Sequence, residues 1–116
     1  MEYAVMADES LASGEARRVV VEGKGIAVVR TSEGKLYALR DVCPHQGAPL
    51  SGGIVEPMID GDAPGNVWMT KIEVLRCPWH HYEYDLNTGL ALGDPECKWV
   101  KTYSVSVVDG QIVLTV

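Results

Sequence analysis

Cys43-Pro44-His45 and Cys77-Pro78-Trp79-His80 each place a cysteine and a histidine within a few residues of one another. Two thiolates and two imidazoles make a complete ligand set, suited either to a tetrahedral zinc ion or to an iron–sulfur cluster with mixed ligands. A proline follows each cysteine, and its fixed φ angle and missing N–H restrict the shape of both segments. These residues predict a metal site that two separate loops build together.

The sequence around the two pairs resembles the cluster-binding loops of Rieske proteins. The resemblance covers 43–50 and 76–80, continues through the strand and turn at 84–89, and reaches the closing hairpin at 101–112. It implies an electron-transfer protein with one [2Fe–2S] cluster per chain. The implied ligands are two cysteines on one iron and two histidines on the other: Cys43 and Cys77, His45 and His80.

Zinc remains the alternative occupant, because the same four side chains can hold a tetrahedral Zn²⁺. The C-x-H and C-x-x-H spacings, with proline after both cysteines, fit Rieske loops better than zinc fingers. The sequence therefore favours iron and sulfide.

Several positions depart from other members of that family. Respiratory-chain Rieske proteins carry a disulfide between the loops, but the corresponding positions here are Ala48 and Trp79. Tyr82 stands where those proteins have a serine hydroxyl near the sulfurs, so the resemblance implies a reduction potential toward the low end of the Rieske range. His81 replaces a usual glycine and is expected to be either a solvated loop residue or a group that tunes the cluster. Cys97 lies outside both motifs and is expected to be a structural or idle thiol.

Short apolar stretches between turn signals predict an all-β fold, a small antiparallel β-sandwich or barrel whose two loops form a cluster-binding subdomain. Strands are predicted over 16–21, 25–31, 35–40, 71–75 and 82–85. Asp109-Gly110 predicts a two-residue hairpin turn, with Ile112, Leu114 and Val116 lining the returning strand. A single helical turn is indicated within 9–16.

The chain is expected to form one domain, 1–116, with an inserted loop at about 51–70. Glycine and proline are frequent in this segment, which predicts a loop, and 31 residues separate His45 from Cys77. Many Rieske ferredoxins have a much shorter separation. The segment begins and ends near the ligand motifs, so it is expected to emerge at the cluster end, either as a partner-docking loop or as a plain surface excursion.

Composition limits the possible partners. The formal net charge of −6 argues against a nucleic-acid partner, and an acidic carrier is expected to dock on basic partner surfaces. No apolar run is long enough to cross a membrane, three cysteines indicate a reducing compartment, and the N-terminus lacks a signal-peptide pattern. A cytoplasmic location is therefore expected.

The leading functional interpretation is a one-electron carrier between a ferredoxin reductase and a terminal oxygenase, not an enzyme in itself. A complete Rieske oxygenase is excluded, because its second iron needs two further histidines and a carboxylate, and the chain has three histidines in all. The alternatives are a small subunit bound tightly to a larger reductase, similar to that of nitrite reductases, and a zinc-stabilised binding module.

Overall fold

Ten β-strands and two short 3₁₀ turns make up the regular structure in the computed structural model, which describes residues 1–42, 49–63, 66–77, 83–92 and 99–116. For 54, 56–63 and 66–73 only the backbone is described. The strands are β1 Glu2–Ala7, β2 Ala16–Val21, β3 Lys24–Arg30, β4 Leu36–Arg40, β5 Ile54–Ala63, β6 Asn66–Arg76, β7 Glu83–Asp85, β8 Ala91–Leu92, β9 Thr102–Val108 and β10 Gln111–Thr115. The 3₁₀ turns are Asp8–Ser10 and Leu50–Gly52.

The strands form two antiparallel sheets. Six of them pair in the order β1-β10-β9-β4-β3-β2, and the other four pair in the order β5-β6-β7-β8. This arrangement confirms the predicted all-β fold. The described residues contain no helix long and apolar enough to cross a membrane.

Strand β3 is buried on both faces and separates two apolar cores. Ile26 and Val28 pack with residues of β2, β4 and β10, whereas Ala27 and Val29 pack with residues of β4, β6 and β7. All four side chains are completely buried. Because successive side chains of a strand point to opposite faces, a continuous apolar run such as Ile26–Val29 supplies both cores at once.

Most strands lie where the sequence predicted them. Strand β2 has the predicted bounds, β4 and β7 each differ by one residue at one end, and β3 differs by one residue at both ends. In β10, Ile112 and Leu114 are completely buried, as expected of the returning strand. Strands β1 and β8 were not predicted. The helical turn expected within 9–16 is a 3₁₀ turn at Asp8–Ser10, where the Arg30 side chain donates to carbonyl oxygens of Asp8 and Leu11.

Two hairpins close through two-residue turns whose first residue has a positive φ angle. Asp109, with φ 51°, opens the turn predicted between β9 and β10. Glu22, with φ 53°, opens the turn between β2 and β3, although glutamate is uncommon in that conformation. Its carboxylate accepts a 2.7 Å hydrogen bond from Tyr3 Oη, which joins edge strand β1 to the end of edge strand β2. This hydrogen bond is the main cause that raises the pKa of Tyr3.

The prediction of a loop over 51–70 was wrong, because β5 and β6 form a long hairpin there. Both strands contain β-branched residues, which favour extended structure, and irregular pairing accommodates the proline and glycine residues. Of the residues of β6, only Val74, Leu75 and Arg76 pair with β7, so beyond these residues β5 and β6 pair only with each other in the described part of the chain. We call 58–72 the arm. Whether it is an insertion relative to the family stays a prediction.

The segment emerges beside the second ligand motif, as expected, and its tip lies at the other end of the hairpin. The hairpin starts at the pair Ile54–Arg76 and ends at the pair Ala63–Asn66. At about 3.3 Å per residue, the tip lies roughly 30 Å from the base. The base of the hairpin directly precedes Cys77 in sequence.

Removing the arm should leave the rest of the fold intact. The variant deletes 58–72 and joins Pro57 to Glu73, which lie opposite each other, through an Asn-Gly turn. The free energy of unfolding, measured by urea titration, should change by less than about 1 kcal/mol, because the deleted strand segments pair only with each other among the described residues. Loss of cooperative unfolding would show instead that the arm belongs to the folding core.

Candidate metal centre

One of the four predicted ligands lies within the described residues. Cys77 directly follows β6 and is completely buried. Cys43, His45 and His80 lie outside the described residues, as do His81 and Cys97. The geometry of the centre is therefore argued from the residues that flank the two ligand motifs.

The flanking residues meet at one end of the four-stranded sheet. The strand pairs form a single row across this sheet, from Ile54 to Arg76, Glu83 and Leu92. The second ligand segment connects two neighbours of this row, since it runs from Arg76 to Glu83. The first ligand segment enters the row at Ile54 through the 3₁₀ turn Leu50–Gly52. The sheet thus brings the bases of both loops to the same end of its strands.

Gly53 permits the closest approach between the two bases. A Cβ atom at this position would lie 1.9 Å from the carbonyl oxygen of Arg76, so no side chain fits. Arg76 immediately precedes Cys77. The contact therefore holds the end of the first loop against the start of the second.

The base of the first loop is closed by a buried carboxylate. Asp41, which is 1% exposed, accepts hydrogen bonds from the Ser51 backbone N–H at 2.6 Å and from the Ser51 hydroxyl at 2.7 Å. Its own backbone N–H donates to the Gly25 carbonyl at 2.9 Å. These bonds tie the residues just before and just after the first ligand segment to each other and to β3.

Arg18 of β2 neutralises this carboxylate, with Nη1 3.0 Å from Asp41 Oδ2. The guanidinium crosses the backbone of Gly25, where a Cβ atom would lie 2.4 Å from Nη2. Glycine at 25 therefore leaves room for the arginine to reach Asp41. A buried carboxylate is tolerated when its oxygens are hydrogen-bonded and its charge is paired, and this one meets both conditions.

Cys77 packs into the core between the two sheets. The same apolar cluster contains Leu50 and Tyr84, both completely buried. Leu75 lies opposite Tyr84, so Tyr84 and Cys77 are diagonal neighbours on one face of the sheet, within reach of a tyrosine side chain. The position suits a buried thiolate ligand with a phenol beside it.

The residues present fit a mixed cysteine and histidine centre. Such a centre needs two loops side by side, and the convergence of the loop bases meets this requirement. Sequence reasoning missed the supporting residues Arg18, Asp41, Ser51 and Tyr84. Asp41 carries a sequence signal, since a single acidic residue stands two positions before the first ligand cysteine. No sequence signal indicates that Asp41 pairs with Arg18, because 23 positions separate the two residues.

Comparison with known proteins adds independent evidence. A family described as the Rieske [2Fe-2S] domain matches residues 1–104. The ferredoxin component of naphthalene 1,2-dioxygenase/salicylate 5-hydroxylase systems from Ralstonia sp. is 30% identical over 106 residues, which are 91% of this chain and 86% of that protein.

Solved structures agree in shape. A chain in the complex of reduced oxygenase and oxidised ferredoxin of carbazole 1,9a-dioxygenase superposes with a TM-score of 0.74 and 25% identity, covering 97% of this chain and 91% of that chain. A protein described as the small subunit of an NADH-dependent nitrite reductase from Mycobacterium tuberculosis gives a TM-score of 0.79 and 26% identity, covering 98% of this chain and 93% of that chain.

Replacing Asp41 should destabilise the protein through the base of the first loop. Asp41→Ala removes both hydrogen bonds to Ser51 and the charge partner of Arg18. The expected loss in the free energy of unfolding is about 2–3 kcal/mol, measured by urea titration. Glu15→Ala is the matched control, because it breaks the exposed ion pair with Arg17 and should cost roughly 0.5 kcal/mol or less. Equal losses in the two variants would contradict a special role for Asp41.

Proposed function

Because this chain belongs to the Rieske [2Fe-2S] family, we propose that it is a one-electron carrier that accepts an electron from a ferredoxin reductase and delivers it to a terminal oxygenase. The convergence of both loop bases on one sheet edge is the structural observation that carries the proposal. The ferredoxin component from Ralstonia sp., similar over nearly its whole length, supports it.

The proposed ligands are the four residues that the sequence predicted. Cys43 and Cys77 would bind one iron, and His45 and His80 the other. The bound cluster supplies reversible one-electron chemistry, with a potential that histidine ligation raises above that of all-cysteine clusters. The chain itself holds the loops side by side and buries Cys77 in the core. The arrangement provides for electron transfer and not for substrate turnover.

A second candidate function is a small subunit that stays bound to a larger reductase. The structural similarity to the nitrite reductase small subunit favours it. The two functions differ in the lifetime of the complex. Gel filtration of an extract from the native host separates them, because a carrier elutes as the free chain and a subunit elutes with a large enzyme.

A cytoplasmic location and a single domain over 1–116 belong to the same proposal. The small number of cysteines supports a reducing compartment.

Carrier function is tested by single-turnover mixing of the dithionite-reduced protein with the oxidised oxygenase component of carbazole 1,9a-dioxygenase. One electron per chain should pass to the oxygenase. If no electron passes to this oxygenase or to the host's own oxygenase, the carrier function is disproved.

The purified protein should be red-brown and contain two iron and two acid-labile sulfide per chain, because the family binds a [2Fe–2S] centre. Its reduced form should give the low-average-g electron paramagnetic resonance signal of mixed cysteine and histidine ligation. Replacing His45 or His80 with alanine should destroy or change this signal, whereas His81→Gly and Cys97→Ser should retain it. A colourless protein with stoichiometric zinc would disprove the cluster, and loss of the signal in His81→Gly would show that His81 is the ligand.

The midpoint potential should lie nearer roughly −150 mV than +300 mV, the two ends of the Rieske range. The reason is that Ala48, Trp79 and Tyr82 replace the disulfide and the serine hydroxyl of respiratory-chain proteins. Protein-film voltammetry near pH 7 measures it. A clearly positive value would refute the expectation.

Tyr84→Phe should lower this potential without loss of the cluster. A buried phenol beside the Cys77 thiolate can donate to sulfur, and hydrogen bonds to sulfur favour the reduced state. A bond worth roughly 1 kcal/mol corresponds to about 40 mV for one electron. Tyr37→Phe is a suitable control, because Tyr37 packs against the same core from β4 and is only partly buried. An unchanged potential in Tyr84→Phe would show that Tyr84 contributes packing and no hydrogen bond to sulfur.

A further inference from the structure

An exposed apolar patch lies beside the first ligand segment. Val42 immediately precedes Cys43 and is 40% exposed, and it lines a groove of about 350 Å³ together with Trp99, which is 64% exposed. Leu90 is 43% exposed and pairs directly with Trp99 across an isolated β-bridge. We call Val42, Leu90 and Trp99 the apolar patch. Large apolar side chains that are exposed side by side are typical of contact surfaces.

Two cations border this patch. Arg40 and Lys101 line the same groove, and the Arg40 backbone N–H donates to the Lys101 carbonyl at 2.8 Å. The Lys101 ammonium lies 5.4 Å from the centroid of the Tyr103 ring. Neither cation forms an ion pair with any carboxylate in the described part of the chain.

Arg40 and Lys101 differ in this respect from the described arginines of β2 and β3, whereas Lys24 and Lys35 also form no ion pair in the described part of the chain. Arg17, Arg18 and Arg30 each pair with a carboxylate, and the chain as a whole carries a net charge of −6. Arg40 also has a buried Nε for which the described residues provide no hydrogen-bond acceptor. A guanidinium carries several N–H donors whose arrangement matches a carboxylate, so Arg40 is suited to bind one.

We propose that the apolar patch, with Arg40 and Lys101 at its border, is the docking surface for a redox partner that presents carboxylates around an apolar contact. The proposal rests on the electron-carrier function and names the contact chemistry of that partner. Val42 is adjacent in sequence to a proposed ligand, so a partner seated here lies close to the centre. The apolar patch supplies contact area, and the two cations supply orientation.

The partner surface expected here is acidic, whereas net charge alone predicts a basic one. An acidic protein is expected to dock on basic surfaces, but salt screens charges beyond about 8–10 Å at ordinary ionic strength. The nearest charges then decide the docking, and in the described residues bordering the groove these are Arg40 and Lys101. Carboxylates on the partner complement them.

Charged oxidants test where electrons leave the protein. One electron from the reduced protein converts ferricyanide to ferrocyanide, or hexaammineruthenium(III) to hexaammineruthenium(II), with no proton or bond change. Lys101→Glu should slow oxidation by the ferricyanide anion and accelerate oxidation by the ruthenium cation, each by about threefold or more at low salt. Lys35→Glu makes the same charge change in the turn at the opposite end of β4 and should leave both rates near the wild-type values.

Protein acceptors test the docking itself. Plastocyanin, a copper protein with an acidic docking patch, should be reduced more slowly by Lys101→Glu, whereas cytochrome c, whose docking face is lysine-rich, should be reduced faster. Trp99→Ala should slow reduction of plastocyanin by about tenfold at all salt concentrations, because it removes the main apolar contact. Val107→Ala is the control, since Val107 is 46% exposed near the far end of β9.

The outcomes separate this proposal from the function on which it rests. An unchanged paramagnetic signal in each variant shows that the centre is intact, and altered rates then support the docking surface. Equal rates in Lys101→Glu and Lys35→Glu, or in Trp99→Ala and Val107→Ala, would overturn it even though the protein remains an electron carrier. Absence of the signal from the wild-type protein would overturn the carrier function and this proposal together.

Discussion

The buried carboxylate of Asp41 holds together the parts of the molecule that the metal centre needs. It receives hydrogen bonds from Ser51 on one side, pairs with Arg18 of β2 on another, and its backbone is bonded to Gly25 of β3. The six-stranded sheet is thereby joined to the chain segment that enters the four-stranded sheet. A buried charge without partners costs free energy. The Asp41 carboxylate is therefore stable in the folded protein only with Ser51 and Arg18 beside it.

The core between the two sheets fixes the position of Cys77, the one proposed ligand among the described residues. Cys77 follows β6 directly and packs in the core between the sheets, together with Leu50 from the end of the first loop. Both loops therefore start from positions fixed by packing.

Charge is distributed unevenly over the chain, and the function depends on where it lies. The net charge is acidic, yet the groove beside the first ligand segment is bordered by Arg40 and Lys101. The arm extends away from that edge, so its length does not by itself make it a docking element. The charges that line the groove beside the first ligand segment therefore differ in sign from the net charge of the chain.

The sequence by itself determined the fold class, the bounds of most strands and the ligand motifs. It could do so because alternating burial, turn residues and short ligand spacings are local patterns, as in β2, the Asp109-Gly110 turn and Cys77-Pro78-Trp79-His80. The arm was misjudged, because glycine and proline indicate a loop unless cross-strand pairing overrides them. The positive φ of Glu22 was likewise hidden, since its hydrogen bond comes from Tyr3, 19 positions away.

Only the tertiary structure decided how distant residues combine. Arg18 pairs with Asp41, Gly53 lies against Arg76, and Trp99 lines a groove with Val42, across separations that no local pattern encodes. These contacts depend on strand order and register, which are set by how two sheets share the two faces of β3. The sequence thus predicted which side chains would bind the metal centre, and the packing of the sheets decided what supports the residues that flank them and which surface lies beside the first ligand segment.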